Sequence, residues 1–486
     1  MRPWEALIVG LAAFSAVLLF IPPLRRQSWM HLLPWAGIPA FAMHWLLEGC
    51  RWQMAPVYCV AVILALVAAA NLRPLHRSSV PSAAKTARWP RLLGAVVSLL
   101  FLALAGALAV LFPLLRLPMP SGPYAVGTTN LHFVDRQRPE TFTPAPNDCR
   151  ELFVQVWYPA ETPAGTKPVS YCENAREISR ALTGPTPFPS FLFDHLGLVR
   201  SHSFRDAEMA RGDERFPIAI FSHAYWGSVS QCTALMEELA SHGYVAVSVG
   251  HPYETPYLIQ ADGHIKAFDP RNDQFRLRGI ERTAAYRVEQ RLTQTRDRDQ
   301  LEALMREISR LRPKTVESVR IWARDISSTI DVLETMNLDD VRCKAGVNMD
   351  GLQLGDMLDR DMSRPFLFMH HDNVGAVNRT PNRVFFDRAR APAYLMTIEE
   401  TGHLSFSDIS FYGRASIFRL MSPVGEIDGR RCHRIVCDYV LAFLDKYLRG
   451  QDSGLLDGPC SQYPEVEIAD NLHLGTSSGT LPLRDE

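Results

Sequence analysis

The sequence predicts an α/β fold, a mostly parallel sheet flanked by helices, set behind four membrane-spanning helices. Three observations predict it. Four long apolar runs open the chain, strand-like apolar runs alternate with helical patterns after Pro118, and an acid and a histidine close two of the later strand segments. A chain of 486 residues has room for more than one domain, and 47% hydrophobic with 21% charged residues suits a globular protein with membrane segments. A formal net charge of -1 gives no basic excess, which argues against a nucleic-acid partner. The nine cysteines show neither CxxC nor Cys/His ligand spacing, so no metal, cofactor or dense disulfide framework is expected, and their odd number leaves at least one thiol unpaired within the chain.

The opening runs are Ala6 to Pro22, Trp29 to Leu47, Met54 to Ala70 and Leu92 to Leu115. Each reaches, or nearly reaches, the length needed to cross about 30 Å of hydrocarbon. They define a four-helix membrane region over residues 1–117. His31 and His44 lie within or beside the second run and read as interfacial or packed side chains. The first and third connectors carry Arg25, Arg26, Arg73, Arg77, Lys85, Arg88 and Arg91, whereas the N-terminus and second connector carry only Arg2 and Arg51. Short cytoplasmic loops hold the positive excess, so the N-terminus and everything after Leu115 are expected on the non-cytoplasmic face of an integral membrane protein. Neither a positive n-region nor a small-residue cleavage site marks a removable signal peptide.

Residues 118–450 read as the α/β domain, with strand segments Leu152 to Trp157, Pro217 to Ser222, Tyr244 to Val249, Lys344 to Met349, Pro365 to His370 and Ala393 to Ile398. Residues 276–326 are rich in Arg, Glu, Gln and Leu at helical spacing. Leu292, Leu301, Leu304 and Ile308 there suit a helical cap insertion or a solvated surface helix. Residues 451–486 read as a polar tail, and no internal repeat is present.

The run Ile218 to Gly227 is a buried strand ending in a small-residue and aromatic loop before the helix Thr233 to His242. In acyl-transfer enzymes built on such a sheet, a backbone N–H after this strand holds the oxyanion; a purely structural strand–turn–helix has the same outline. The strand Ala345 to Met349 delivers Asp350 at its carboxyl end, where a triad acid belongs, and His403 follows the strand ending at Ile398. Acid before histidine is the α/β-hydrolase order. Individually, each also fits a turn Asp or a surface His.

The motifs Ser121 to Gly127, Arg150 to Pro159, Phe221-Ser222-His223, Leu239 to Tyr244, Asn348 to Gly351 and Gly402-His403 together resemble the plasma-type platelet-activating-factor acetylhydrolase family. The likeness spans about residues 118 to 450. It implies an α/β-hydrolase fold and a calcium-independent serine esterase that removes short or oxidised acyl groups from phospholipids. By resemblance, Asp350 is the triad acid, His403 the base and the Tyr225 backbone N–H the oxyanion donor. The four-helix region is additional to the secreted members.

One departure bears on activity. Such an esterase carries its serine on a G-x-S-x-G turn between a strand and a helix, ahead of the acid-bearing strand. Here the helical run Val316 to Met336 leads through Asn337 to Cys343 directly into that strand, and a strand, elbow and helix would need on the order of 25 residues. The nucleophile is therefore unknown. Gly475 to Gly479 spells the motif around Ser477, but in the polar tail and after His403; Ser228 and Ser230 suit loop or capping hydroxyls; Cys343 suits a small buried apolar position. Three explanations follow: an incomplete or alternatively spliced reading of an active esterase, a pseudoenzyme acting as a membrane-anchored lipid-binding or scaffold protein, or a nucleophile from an unforeseen position. Protein partners and oligomeric state are not legible.

Overall fold

The computed structural model describes residues 1–20, 32–72, 88–162, 165–184, 187–211, 215–260, 262–268, 279–295, 297–335, 343–372, 379–420 and 422–472. His31, most of the first and third connectors, residues 336–342 and the Ser477 motif lie outside them.

The first four helices are α1 (Pro3–Phe20), α2 (Leu33–Leu47), α3 (Ala55–Leu72) and α4 (Arg88–Leu111). Their contacts with one another run through small residues, with Ala12, Ala16, Ala40 and Ala105 buried among them. Large apolar side chains such as Phe14, Ile38, Trp45, Leu66 and Leu100 point outward. Among the described residues two segments, Trp52–Ala69 and Leu92–Leu111, are long and apolar enough to cross a membrane, not the four expected. The 15 residues of α2 span only about 22 Å at 1.5 Å per residue, and the described apolar stretch of α1, Pro3–Leu18, is shorter than the other two. His44 is a packed residue: it is buried and hydrogen-bonded to Glu48 (2.9 Å) and to Tyr58 (2.7 Å).

After α4 come strands β1 (Ala125–Pro139) and β2 (Cys149–Ala160), α5 (Ala175–Thr183), β3 (Ser203–Arg205), β4 (Ile218–Ser222), α6 (Thr233–Ser241) and β5 (Val245–Val249). The small hairpin β6 (Tyr257–Ile259) and β7 (Ile265–Ala267) precedes three helices, α7 (Gly279–Gln294), α8 (Arg298–Leu311) and α9 (Pro313–Thr335). The chain closes with β8 (Gly346–Met349), β9 (Phe366–His371), α10 (Arg379–Arg388), β10 (Ala393–Ile398), α11 (Ile417–Leu420), α12 (Gly429–Leu444) and β11 (Val466–Asp470). All six strand segments read from the sequence are strands. Within the 451–486 stretch expected to be a polar tail, Val466–Asp470 returns to pair antiparallel with β10.

The main strands form two sheets, one ordered β3-β1-β2-β5-β4 and the other β11-β10-β9-β8. β4 with β5, and β8, β9 and β10 with one another, are parallel. One core joins the sheets: α6 and α12 bring Leu235, Leu239, Ile435 and Tyr439 against Trp157 and Ala246 of the first and Leu367 and Met396 of the second. On the opposite face α9 covers the first sheet through Leu333, and α7, α8 and α10 cover the second. Leu292, Leu301, Leu304 and Ile308 are buried in that second layer beside Phe368 and Phe385. The helices of the 276–326 stretch are thus packed against the body of the domain.

Each sheet ends on an inner-domain strand. β4 is partly exposed at all five positions whereas its neighbour β5 is buried at all five, and β8 is partly exposed at three of four. Such strands carry unpaired backbone groups along one edge. The interval from α9 to β8 is ten residues, 336–345, and no strand is present in its described part.

Candidate functional site

Three parallel strands, β8, β9 and β10, deliver three side chains at their carboxyl ends, where open α/β sheets place ligands. Asp350 follows β8 directly. Its backbone is left-handed (φ 62°), a conformation that costs a non-glycine residue energy and that its surroundings hold in place. The Asp350 N–H donates to Met369 O (2.8 Å), and Asn348 clasps the next residue by accepting from Gly351 N–H (2.6 Å) and donating to Gly351 O (3.1 Å). The loop after β10 is tied down similarly. Asp372 accepts the Glu400 N–H (3.0 Å), and at Gly402 a Cβ would lie 2.3 Å from Pro423 O, so only glycine fits ahead of His403.

The result is an imidazole–carboxylate pair. His403 Nδ1–H donates to Asp350 Oδ2 (2.6 Å), fixing the ring by its inner nitrogen. Asp350 is 1% exposed and His403 44% exposed, so the acid is sealed and the base faces outward. Burial alone would raise the Asp350 carboxyl, but hydrogen bonds from His371 and His403 outweigh it and hold it below its usual value. The bond to Asp350 raises the His403 imidazole against a smaller opposing effect of burial. His371, the last residue of β9, also donates its Nδ1–H to Asp350 Oδ2 (2.7 Å). The sequence reading gave His371 no role. Its signal was present, because in a parallel pairing of the strands before Asp350 and His403 with the strand between them, a histidine ending the middle strand falls between the two.

Tyr225 lies in the turn after β4, next to Trp226, whose backbone is also left-handed (φ 64°) and donates to Glu254 O (3.1 Å). The two loops of interest are stitched together. Asp408, five residues beyond His403, accepts from the backbone N–H of Thr233 (2.8 Å) and Ala234 (3.3 Å) at the start of α6. Ser228 and Ser230 hydroxyls bond each other (3.1 Å) in the same loop. Cys343 is exposed rather than buried, since it precedes a strand at the edge of its sheet.

A second imidazole–carboxylate pair, which sequence reading missed, sits beside the other sheet, between the end of β5 and helix α9. His251 Nδ1 bonds Asp325 Oδ2 (3.0 Å) and His251 Nε2 bonds Ser222 Oγ (2.8 Å). His251 and Asp325 are fully buried, the ring stacks on Trp322 (4.9 Å, 15°), and Asp325 takes ion pairs from Arg138 and Arg150, both at 2.8 Å. Burial drives the His251 imidazole below its usual value. His251 and Asp325 are closed in by packing and by charge while Ser222, on the edge strand β4, is partly exposed, and the sealed ionisable pair suits a structural brace.

The sequence model of the family "Platelet-activating factor acetylhydrolase, isoform II" matches residues 110–315 and 257–455, together most of the chain. The platelet-activating factor acetylhydrolase of Cavia porcellus is 24% identical over 361 residues, covering 68% of this chain and 78% of its own. A probable 1-alkyl-2-acetylglycerophosphocholine esterase of Arthroderma benhamiae is 25% identical over 396 residues, covering 73% and 94%. Among solved structures, a ferulic acid esterase from Streptomyces cinnamoneus superimposes with a TM-score of 0.52 at 24% identity, covering 73% of this chain and 99% of that one, which shows a shared esterase-type fold. The extent of the family match, on a fold shared with an esterase, makes this chain a member of the platelet-activating factor acetylhydrolase isoform II family.

Proposed function

We propose that this protein is a membrane-tethered relative of phospholipid esterases that keeps Asp350 as acid, His403 as base and the Tyr225 N–H as oxyanion donor, but lacks the segment bearing the serine. The observation that carries this reading is the end of one sheet at β4 and of the other at β8, with only ten residues between α9 and β8. In an α/β-hydrolase the nucleophile strand would run beside both. The substrate class, a phospholipid with a short or oxidised acyl ester, comes from the family. A serine nucleophile must lie about 3 Å from its base, and removing the serine of a triad protease costs on the order of 10⁶ in turnover. The chain with a chelator present should therefore show almost no hydrolysis of a short-acyl phospholipid. Transferring a strand–elbow–helix segment from an active relative into the interval after Thr335 should restore it; unchanged inactivity in a folded chimera would count against the proposal. A transcript that carries extra codons between 337 and 343 would identify an active parent form, and a continuous frame would identify a natural pseudoenzyme.

The same proposal places the domain on the non-cytoplasmic face. Outward apolar side chains on α1 to α4 support contact with lipid, and seven basic residues in the first and third connectors against two elsewhere support the orientation. Trp52, between α2 and α3, donates its indole N–H to Leu192 O (3.2 Å), and Arg2 donates to Gly49 O (2.7 Å), so N-terminus, second connector and hydrolase domain meet at one end. Protease added to intact cells should cut after Pro118; cleavage only after permeabilisation would reverse the orientation.

A further inference from the structure

We infer that Asp350, His371 and His403 form a binding site for a single divalent transition-metal ion of the Zn²⁺ class, with coordination positions left open on the His403 side. Their ligand atoms all lie within 4.8 Å of one another. A proton-transfer pair needs one imidazole on its carboxylate. Here two imidazoles direct the same nitrogen, Nδ1, at the same oxygen, Asp350 Oδ2, at 2.7 and 2.6 Å. The second ring adds nothing to orienting the first, whereas two imidazole nitrogens and one carboxylate oxygen are the protein ligands of a zinc centre that keeps a place for water or substrate. The donor set also selects the ion, since Mg²⁺ and Ca²⁺ prefer oxygen-only shells.

The surroundings favour loading. Asp350 Oδ1 is engaged by the His371 N–H (3.3 Å), so the carboxylate presents Oδ2 in a fixed direction from its left-handed backbone. Zn–N and Zn–O bonds near 2.0–2.1 Å need the ligand atoms about 3.3 Å apart in a tetrahedron, so the two N···O distances of 2.7 and 2.6 Å would spread by roughly 0.6 Å and any pair nearer the 4.8 Å limit would close. Asp350 and His371 sit at the ends of paired strands and are nearly sealed, while His403, in a loop and half exposed, is the ligand free to give way. To bind the ion each imidazole would offer a bare Nδ1 and carry its single proton on Nε2, so a neutral ring only moves its proton between its two nitrogens through solvent, and a proton is released only from a ring that starts as imidazolium. No Cys/His spacing announces this set because its members lie at or beyond the ends of three different strands, 21 and 32 residues apart along the chain.

The test uses the full chain in detergent, stripped with chelator and titrated with Co²⁺ as the probe. One equivalent should bind with visible d–d absorption of a low-coordinate site, and Zn²⁺ should displace it. His371→Gln and His403→Gln should each lose the bands and more than about tenfold in affinity. His403→Gln, at a half-exposed position, keeps the fold, as circular dichroism would verify, and His264→Gln on an exposed loop should leave binding unchanged. Absence of the bands in the wild type, bands that survive both substitutions, or an intense near-ultraviolet thiolate-to-cobalt transition would overturn the assignment. Because metal uptake is read directly, the outcome does not depend on whether the chain hydrolyses lipid.

Discussion

Beside each of the two sheets a carboxylate is bonded to imidazole, and the two pairs differ in what surrounds them. Beside the five-stranded sheet Asp325 of α9, His251 after β5 and Ser222 of β4 form a series that copies the order of a catalytic triad, yet both ionisable members are fully buried and Arg150 and Arg138 pin the acid. In the four-stranded sheet Asp350 is equally sealed, but it is held by the imidazoles of His371 and His403, and His403 is 44% exposed. Hydrogen-bond order alone therefore does not define a site. Access and the freedom of the terminal group separate a brace from a centre that can meet a ligand.

The comparison breaks most readily at the brace. Asp325→Ala would strand Arg150 and His251 in the interior and should cost about 3–5 kcal/mol in denaturant unfolding of the solubilised chain. A loss below about 1 kcal/mol would mean that the network contributes little to stability. A smaller, pH-dependent effect is expected at Glu237 of α6, the helix that helps join the two sheets. Burial pushes its carboxyl up to about 7 despite hydrogen bonds from Ser203 and the His202 N–H. A carboxyl raised in the folded state favours folding at low pH, and that advantage disappears as pH rises from about 4.5, the unfolded value, through about 7. Glu237→Gln should remove this decline, worth roughly 3 kcal/mol for a shift of that size, and identical pH profiles for the two proteins would contradict it. The smallest change should follow Asp350→Asn, about 1–2 kcal/mol, because the amide oxygen still accepts one imidazole and His403 reaches water. A cost equal to that of Asp325→Ala would make the second pair a brace as well.

The parallel strands were legible because buried runs bounded by turns are what such strands look like, and because Asp350 and His403 stand at their carboxyl ends. β1 alternates polar and apolar residues along Ala125–Pro139 and is largely half-exposed, so it lacks the continuous apolar signal of β5. β11 is hidden in a polar tail because an edge strand with one buried anchor, Val466, needs few apolar residues. Asp325, His251 and Ser222 are separated by 74 and 29 residues, and no local pattern specifies which distant carboxylate a histidine will meet. In the membrane region the start of α2 was poorly legible, because hydropathy runs on from Trp29 whereas Leu32 caps a helix that opens with Pro34 in its first turn.

The central claim, that the acid and base have no serine to act with, is tested most directly by treating the purified full chain with an organophosphonate and measuring its intact mass. The account predicts no covalent adduct, including at Ser222, whose hydroxyl is held by a buried imidazole. Stoichiometric phosphonylation would contradict it, and the modified peptide would show whether Ser222, Ser228, Ser230 or Ser477 is the nucleophile.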